Sequence, residues 1–443
     1  MKGIKYMPYS IEDQKISRTV PFSLALFLCI PIYLIPESKA STFFQFSSPI
    51  GTVTPDKMII TMVLIFCLYL TIFKLKIPLS PPFTMVSLYL IWMVCTSLIS
   101  LYSINFFKMN SFVFRIIMNF GVFFITYTLC YNYKVFKSLF KKTIITFGFL
   151  NSVFSLAQFY FSDPLFIGKY ITITRGFYFL GERVTRVWGF QGEPLATGTV
   201  TMVSLILLLD SFFKKDGKKR TKLNKLLLFT MSLVMFIALL LTFSRGSLIS
   251  FIIGLLFLLW KNEFKFFTPK RTILYLLGTP FLILLIQNTV LYSVLFERFG
   301  QLSDGDASFT HRWGVITSID NLLTQIGYPV LLGLSPGGSL GIRDYVGVLD
   351  NGYLAIFFED GILGSFLFFG IAFLLLRKRY EPALQSALLG VLLNMATYEM
   401  TYYSTISCLY WGILGVLAAD KIVNKKSFHP TSMSNNKETD SIL

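Results

Sequence analysis

An all-α, polytopic integral membrane protein is the fold class this sequence predicts, with about twelve transmembrane helices and two long external loops. Three observations predict it. Hydrophobic residues make up 54% of the chain and charged ones only 14%, against about 25% charged in a soluble domain. Apolar runs recur along the chain at about the 20 residues needed to cross roughly 30 Å of hydrocarbon. The net charge of +17 is spread over the short segments between those runs. Spread in that way, positive charge reads as membrane topology and not as a nucleic-acid face. Residues 1–421 form a single multi-span membrane domain in this reading. The polar, aperiodic stretch 422–443 is expected to be a disordered cytoplasmic tail.

The expected spans, in order, are 20–36, 58–73, 83–104, 112–130, 143–161, 193–213, 225–242, 247–260, 272–293, 352–376, 382–399 and 403–419. The first follows a basic stretch, and no A-x-A-like cleavage site comes after it, so it reads as a retained span and not as a signal peptide. The sixth opens on Glu193-Pro194. Proline suits a first helical turn, and a carboxylate suits the positive end of the helix dipole. The seventh and eighth come from one apolar run, Leu226–Trp260. As one helix it would be roughly 50 Å long at 1.5 Å per residue. Arg245, in the middle of LLTFSRGSLISF (Leu240–Phe251), would cost at least about 2.5–3.5 kcal/mol at the bilayer centre. Two spans meeting at a membrane surface, with Ser244-Arg245-Gly246 at the turn, resolve both difficulties. The five cysteines lie in or beside apolar runs, none at ligand spacing, and read as small buried hydrophobes.

Loop charge sets the orientation. KKDGKKRTKLNK (Lys214–Lys225) is the strongest cytoplasmic signal. KVFKSLFKK (Lys134–Lys142), KNEFKFFTPKR (Lys261–Arg271) and RKR (Arg377–Arg379) fall on the same side, as do both termini. The long loops 162–192 and 295–350 then lie outside, with the SRGS turn. Lysine and arginine separate across this topology. Every lysine except Lys39, Lys57, Lys108 and Lys169 is inside, whereas Arg115, Arg175, Arg183, Arg186, Arg245, Arg298, Arg312 and Arg343 are at the outer face. The positive-inside rule treats the two residue types alike and does not account for the split. An arginine-rich outer face suits bidentate recognition of phosphate or carboxylate. Pairing with Glu297, Asp304, Asp306 and Asp344 is the plainer alternative, and it is weakest at Arg245, whose sequence neighbours are uncharged.

Four outer segments carry candidate chemistry. RVWGFQGEPLATG (Arg186–Gly198) ends the first long loop and sets Glu193 at the membrane edge. The SRGS turn follows. THRWG (Thr310–Gly314) precedes GYPVLLGLSPGGSLG. Last, LDNGYLAIFFEDGILG (Leu349–Gly364) caps a span with Asp350-Asn351 and carries Glu359 and Asp360 two turns in. Acids that deep are expected to face the protein interior. His311, one of two histidines, stands beside Arg312. Asp304-Gly305-Asp306 is too short a pattern to count as a metal pair, so no metal and no cofactor are expected.

Taken in order, TFSRG, HRW, YPVLLGLSPGG and DNGYLAIFFEDGILG resemble the O-antigen polymerase and ligase superfamily of bacterial polysaccharide assembly. Its pattern is TxSR at a span-to-span turn, an external R-x-x-W, P-[LVI]-x-G-x-G, then HN-x-x-L-x-x-x-x-E-x-G. The resemblance covers about 240–375. Asp350 stands where the family has histidine, a departure that favours a polymerase over a ligase. Arg312 directly precedes Trp313, a compressed spacing. The resemblance implies a metal-independent glycosyltransferase of the bacterial inner membrane. It would move a growing glycan from polyprenyl diphosphate to a sugar hydroxyl of a lipid-linked repeat unit. Its implied partners are polyprenyl-diphosphate-linked oligosaccharides, membrane lipids and a chain-length regulator protein, with no nucleic acid. Arg186, Arg245 and Arg312 are then the candidate diphosphate contacts, and Glu193, Asp350 and His311 the candidate catalytic residues. An O-antigen ligase, a capsule or exopolysaccharide polymerase, and a lipid-linked oligosaccharide flippase stay open. The last would want charged residues along a mid-membrane path and related halves.

Overall fold

The computed structural model of the chain describes, in the main, residues 77–103, 115–133, 135–162, 186–213, 221–262, 329–338, 351–377, 380–397 and 404–427, with backbone segments inside 46–53 and 176–185. The expected spans 20–36 and 272–293, most of 58–73, and the candidates His311, Arg312 and Asp350 lie outside the described residues.

The described chain is built of helices. They are α1 (Pro81–Ser103), α2 (Val122–Asn132), α3 (Phe136–Phe161), α4 (Pro194–Phe213), α5 (Lys222–Leu241), α6 (Arg245–Lys261), the short α7 (Pro329–Leu332), α8 (Gly352–Arg377), α9 (Pro382–Asn394) and α10 (Ser404–Ser427). A π-helical stretch, Ile116–Gly121, leads into α2, and a 3₁₀ turn, Met395–Thr397, ends α9. Among the described residues five helices are long and apolar enough to cross a membrane: α1, α3, α4, α5 and α8. The last helix runs on to Ser427, through the start of the stretch expected to be disordered.

The all-α expectation needs one addition, two short antiparallel hairpins. Phe46–Ser48 pairs with Gly51–Val53, and Gly176–Phe179 with Glu182–Thr185. The second lies in the long loop 162–192. Phe177, Tyr178 and Phe179 with Val184 and Thr185 supply aromatic and β-branched residues, which favour strands. Only Leu180 and Gly181 join the paired ends Phe179 and Glu182, the length of a tight hairpin loop.

The long run Leu226–Trp260 is two helices, as its length demanded. Thr221 caps α5 by accepting a hydrogen bond from Asn224 N, and Ser244 caps α6 by accepting from Ser247 N. Arg245 is therefore the first residue of α6 and not a mid-span residue. Of the five membrane-length helices α4 is the most enclosed, with 83% of its most apolar stretch buried, and α5 the least, with 17%. Leu226, Leu227, Phe229 and Leu233 of α5 are exposed, as are Leu88, Ile91 and Leu98 of α1. On a chain of this hydropathy such faces meet lipid, since helices apolar around much of their surface are a membrane signature.

Close contacts fix the directions of the helices. α3 and α4 run antiparallel, with Lys141 at Asp210 and Ser204 Oγ donating to Ile144 O (3.1 Å). α6 and α9 do the same, with Gly246 against Asn394 and Gly254 against Ser386. The helix ends thus gather into two opposed sets. One holds Arg186, Arg245 and Asn394. The other holds Lys137, Lys141, Lys261 and Arg377. At this lysine end Lys137 reaches Asp420 (2.8 Å) and Glu381 (3.1 Å), and Lys141 bridges Glu381 to Asp210. Burial, with the Asp420 carboxylate adding to it, pushes the Tyr380 phenol up to about 12, so it stays neutral beside that network.

The positive-inside rule predicts that the lysine end faces the cytoplasm. Ser162 and Thr221 are exposed at opposite ends. On a background with the native cysteines replaced, Ser162→Cys should react with an impermeant thiol reagent in intact cells. Thr221→Cys should react only after permeabilisation; labelling of Thr221→Cys in intact cells would reverse the orientation.

Candidate functional site at the arginine end

The segment RVWGFQGEP is held in place by two side chains of α3, seven residues apart and so on one helix face. Gln158 Oε1 accepts from Trp188 N (3.1 Å) and Gly189 N (2.8 Å), and its Nε2 donates to Gly189 O (3.3 Å). Asn151 Oδ1 accepts from Phe190 N (2.8 Å). The Thr197 hydroxyl closes the turn from the α4 side by donating to Trp188 O, and also to Gln191 Oε1 (3.0 Å). Gly189 and Gly192 take positive φ (56° and 70°). At Gly189 a Cβ would collide with Asn151 Oδ1 and Thr197. Glu193 ends this turn, 9% exposed, and its carbonyl accepts from Thr197 N (2.9 Å), which starts α4.

This pinned segment meets the SRGS turn. Val187 N donates to Leu241 O (3.3 Å), and Arg186 Nε donates to Thr242 O (2.9 Å). Both acceptors belong to the end of α5, where helical carbonyls lack partners within the helix. The structure thus brings Arg186 and Arg245, far apart in sequence, to one turn. Both are half-buried. Gly198 of α4 packs on Ser247, and Gly246 on Asn394 and Thr397. Asn394 Nδ2 donates to Thr199 Oγ1 (2.5 Å) and Ser247 Oγ (3.3 Å). A floor of buried hydroxyl and amide groups therefore lies beneath Arg245, on the N-terminus of a 17-residue helix. An arginine, oriented N–H groups and the positive helix end together favour an anion.

A second polar group lies deeper. Glu359 and Asp360 are fully buried, as the sequence reading expects, and Arg115 (3% exposed) faces both. Its guanidinium pairs with Glu359 and reaches Asp360 Oδ1 and Oδ2 at 3.1 and 3.2 Å. Tyr89 OH donates to Asp360 Oδ2 (2.5 Å), and Trp92 Nε1 to Asp360 O (2.7 Å). Gly361 (φ 68°) breaks α8 immediately after this pair. Arg115 leads into the π-helical stretch, a distortion common at functional sites.

Of the six site residues expected from sequence, Arg186, Glu193 and Arg245 fall together at the arginine end. His311, Arg312 and Asp350 lie outside the described residues. Sequence reasoning gave no role to Gln158, Asn151, Thr197, Asn394, Tyr89 or Trp92. Arg115 was counted only as an outer-face residue. The signal available for it was an arginine within one expected span and two acids within another, which lipid forces to pair. Among the described residues no group of three or more His, Cys, Asp or Glu is placed to hold a metal.

The fold and this end define a helical membrane protein with arginines set over a buried polar floor. The chain is 23% identical over 311 residues to the O-antigen polymerase of Salmonella muenchen, covering 62% of this chain and 73% of that protein. No family profile matches it.

Proposed function

We propose that this chain polymerises lipid-linked polysaccharide repeat units at the outer face of the bacterial cytoplasmic membrane. The observation that carries the reading is the convergence of Arg186 with the SRGS turn at the arginine end. The likeness to an O-antigen polymerase supplies the substrate class.

In this reading the donor is the growing glycan on polyprenyl diphosphate, and the acceptor is a second lipid-linked repeat unit. The bond from the anomeric carbon to the diphosphate oxygen breaks. A bond from that carbon to an acceptor hydroxyl oxygen forms. The hydroxyl proton passes to a carboxylate, Glu193 or Asp350, whichever comes within hydrogen-bond reach of the bound acceptor. Negative charge grows on the departing diphosphate. Arg245 with the α6 N-terminus, Arg186 and Arg312 stabilise it as preorganised donors. Glu193 fits its role by position, a buried carboxylate at the start of α4, five residues before Gly198, which touches Ser247 of the same floor. The lipid tails enter from the bilayer across the exposed apolar faces.

Purified protein given the lipid-linked repeat unit extracted from its own cells should yield a ladder of long glycans and free polyprenyl diphosphate. Transfer to a lipid A core acceptor would indicate a ligase instead. Movement of the unit across a vesicle membrane without elongation would indicate a flippase. If arginines supply the positive charge, elongation should continue in excess chelator. Loss of activity in chelator, restored by a divalent ion, would bring Asp304 and Asp306 into the mechanism.

A further inference from the structure

The break in α8 is tied to a turn of the chain that sits below the arginine end. Glu359 lies seven residues into α8, about 10 Å below its N-terminus at 1.5 Å per residue. Leu334 N donates to Phe358 O (2.8 Å), and Gly337 N to Glu359 Oε1 (3.0 Å). The segment Gly333–Gly338 therefore dips beside α8 to the level of the break. Gly333 (φ 106°) and Gly361 (φ 68°) permit this approach. A Cβ on Gly333 would strike the Asp360 and Glu359 backbone, and one on Gly361 would strike Leu331 and Leu332. Non-helical backbone at membrane depth is tolerated where it is enclosed by protein or lines a cavity.

Two backbone carbonyls at the break have partners outside α8. Phe358 O receives Leu334 N, and Asp360 O receives the Trp92 indole. The ion cluster continues the same chain of contacts. Arg115 grips Glu359, and Glu359 grips Gly337. Tyr89 and Arg115 hold Asp360 and so fix the frame. Between Leu334 and Gly337 stands Ser335, fully buried, at φ 71°, with no hydrogen-bond partner for its hydroxyl among the described residues. A non-glycine residue in that conformation persists where its surroundings over-determine it. The second carboxylate also bears on the role. A plain staple needs one acid opposite Arg115, and a second buried charge adds desolvation cost. Here one acid anchors to α1 and the other reaches the turn.

We infer that Arg115, acting through Glu359 and Asp360, is a positioning residue that fixes the Leu334–Gly338 turn, with Ser335 enclosed in it, beneath the site where the acceptor binds. This rests on the arginine end being the substrate face, as proposed above.

Thiol protection tests it without any reaction. On a background with Cys29, Cys67 and Cys95 replaced by serine, Ser335→Cys should react slowly with N-ethylmaleimide in purified full-length protein. Adding Arg115→Met, Glu359→Met and Asp360→Asn together leaves no stranded charge, so the protein should accumulate normally. Position 335 should then label at least about tenfold faster, while buried Cys130 and Cys408 stay protected. In the polymerisation assay the same triple variant, with Ser335 native, should raise KM for the repeat unit more than it lowers kcat. Unchanged protection at position 335, failure of the triple variant to insert, or loss of protection at Cys130 alongside position 335 would each reduce the cluster to a structural staple and overturn the inference. Absence of polymer from the wild-type protein would instead count against the proposed function, and the labelling result would stand apart from it.

Discussion

Arg245→Ala should insert at normal levels and lose about 100- to 1000-fold in polymerisation rate, roughly 3–4 kcal/mol of transition-state stabilisation if the contact is preorganised. Cells carrying it should display single repeats in place of a ladder. The expectation follows from position. Arg245 opens α6, half-buried, directly above the Asn394–Ser247–Thr199 floor and beside the Arg186 contact to Thr242. Arg245→Lys is the sharper variant. Lysine keeps the charge and loses the bidentate fork, so most activity should still disappear. Arg377→Lys, at the other end of the bundle, should leave the ladder intact. A normal ladder from well-expressed Arg245→Ala would show that this arginine only marks a turn.

The second large effect is on stability. Arg115→Met removes the cation facing Glu359 and Asp360, both fully buried. Breaking a buried pair from one side costs about 3–5 kcal/mol, because the remaining charge is stranded. Two carboxylates share this cation, so the loss should lie at the upper end of that range. Thermal unfolding of the purified variant in detergent should show a clear drop in midpoint, together with low accumulation in cells. Neutralising both acids in the same chain should recover most of it. A variant as stable as wild type would mean that the carboxylates are satisfied by Tyr89 and Gly337 alone.

The sequence made some of this legible and concealed the rest, for physical reasons. The split of Leu226–Trp260 at Ser244-Arg245-Gly246 was readable, because the bilayer limits span length and penalises a central arginine. The inward facing of Glu359 and Asp360 was readable on the same ground. Their partner was only half readable: lipid demands a countercharge, but spacing along the chain does not say which helix brings it. The break at Gly361 was not. A glycine such as Gly361 in EDGILG is tolerated in a helix, costing about 1 kcal/mol relative to alanine, and only the approach of Gly333 reveals why the helix breaks there. Asn151 and Gln158 read as two polar residues in an apolar span, and their role depends on where Trp188–Phe190 lies in space. The hairpin at Gly176–Thr185 was missed because its strands are only four residues each and show no apolar-polar alternation. The contact between Arg186 and Thr242 joins residues 56 apart, a pairing that no local pattern encodes.

The most direct measurement is elongation by the purified full-length chain in proteoliposomes supplied only with its lipid-linked repeat unit and chelator. The account predicts a glycan ladder and stoichiometric release of polyprenyl diphosphate, both lost in Arg245→Ala. Repeat units that stay single while the wild-type protein carries them across the membrane would contradict it.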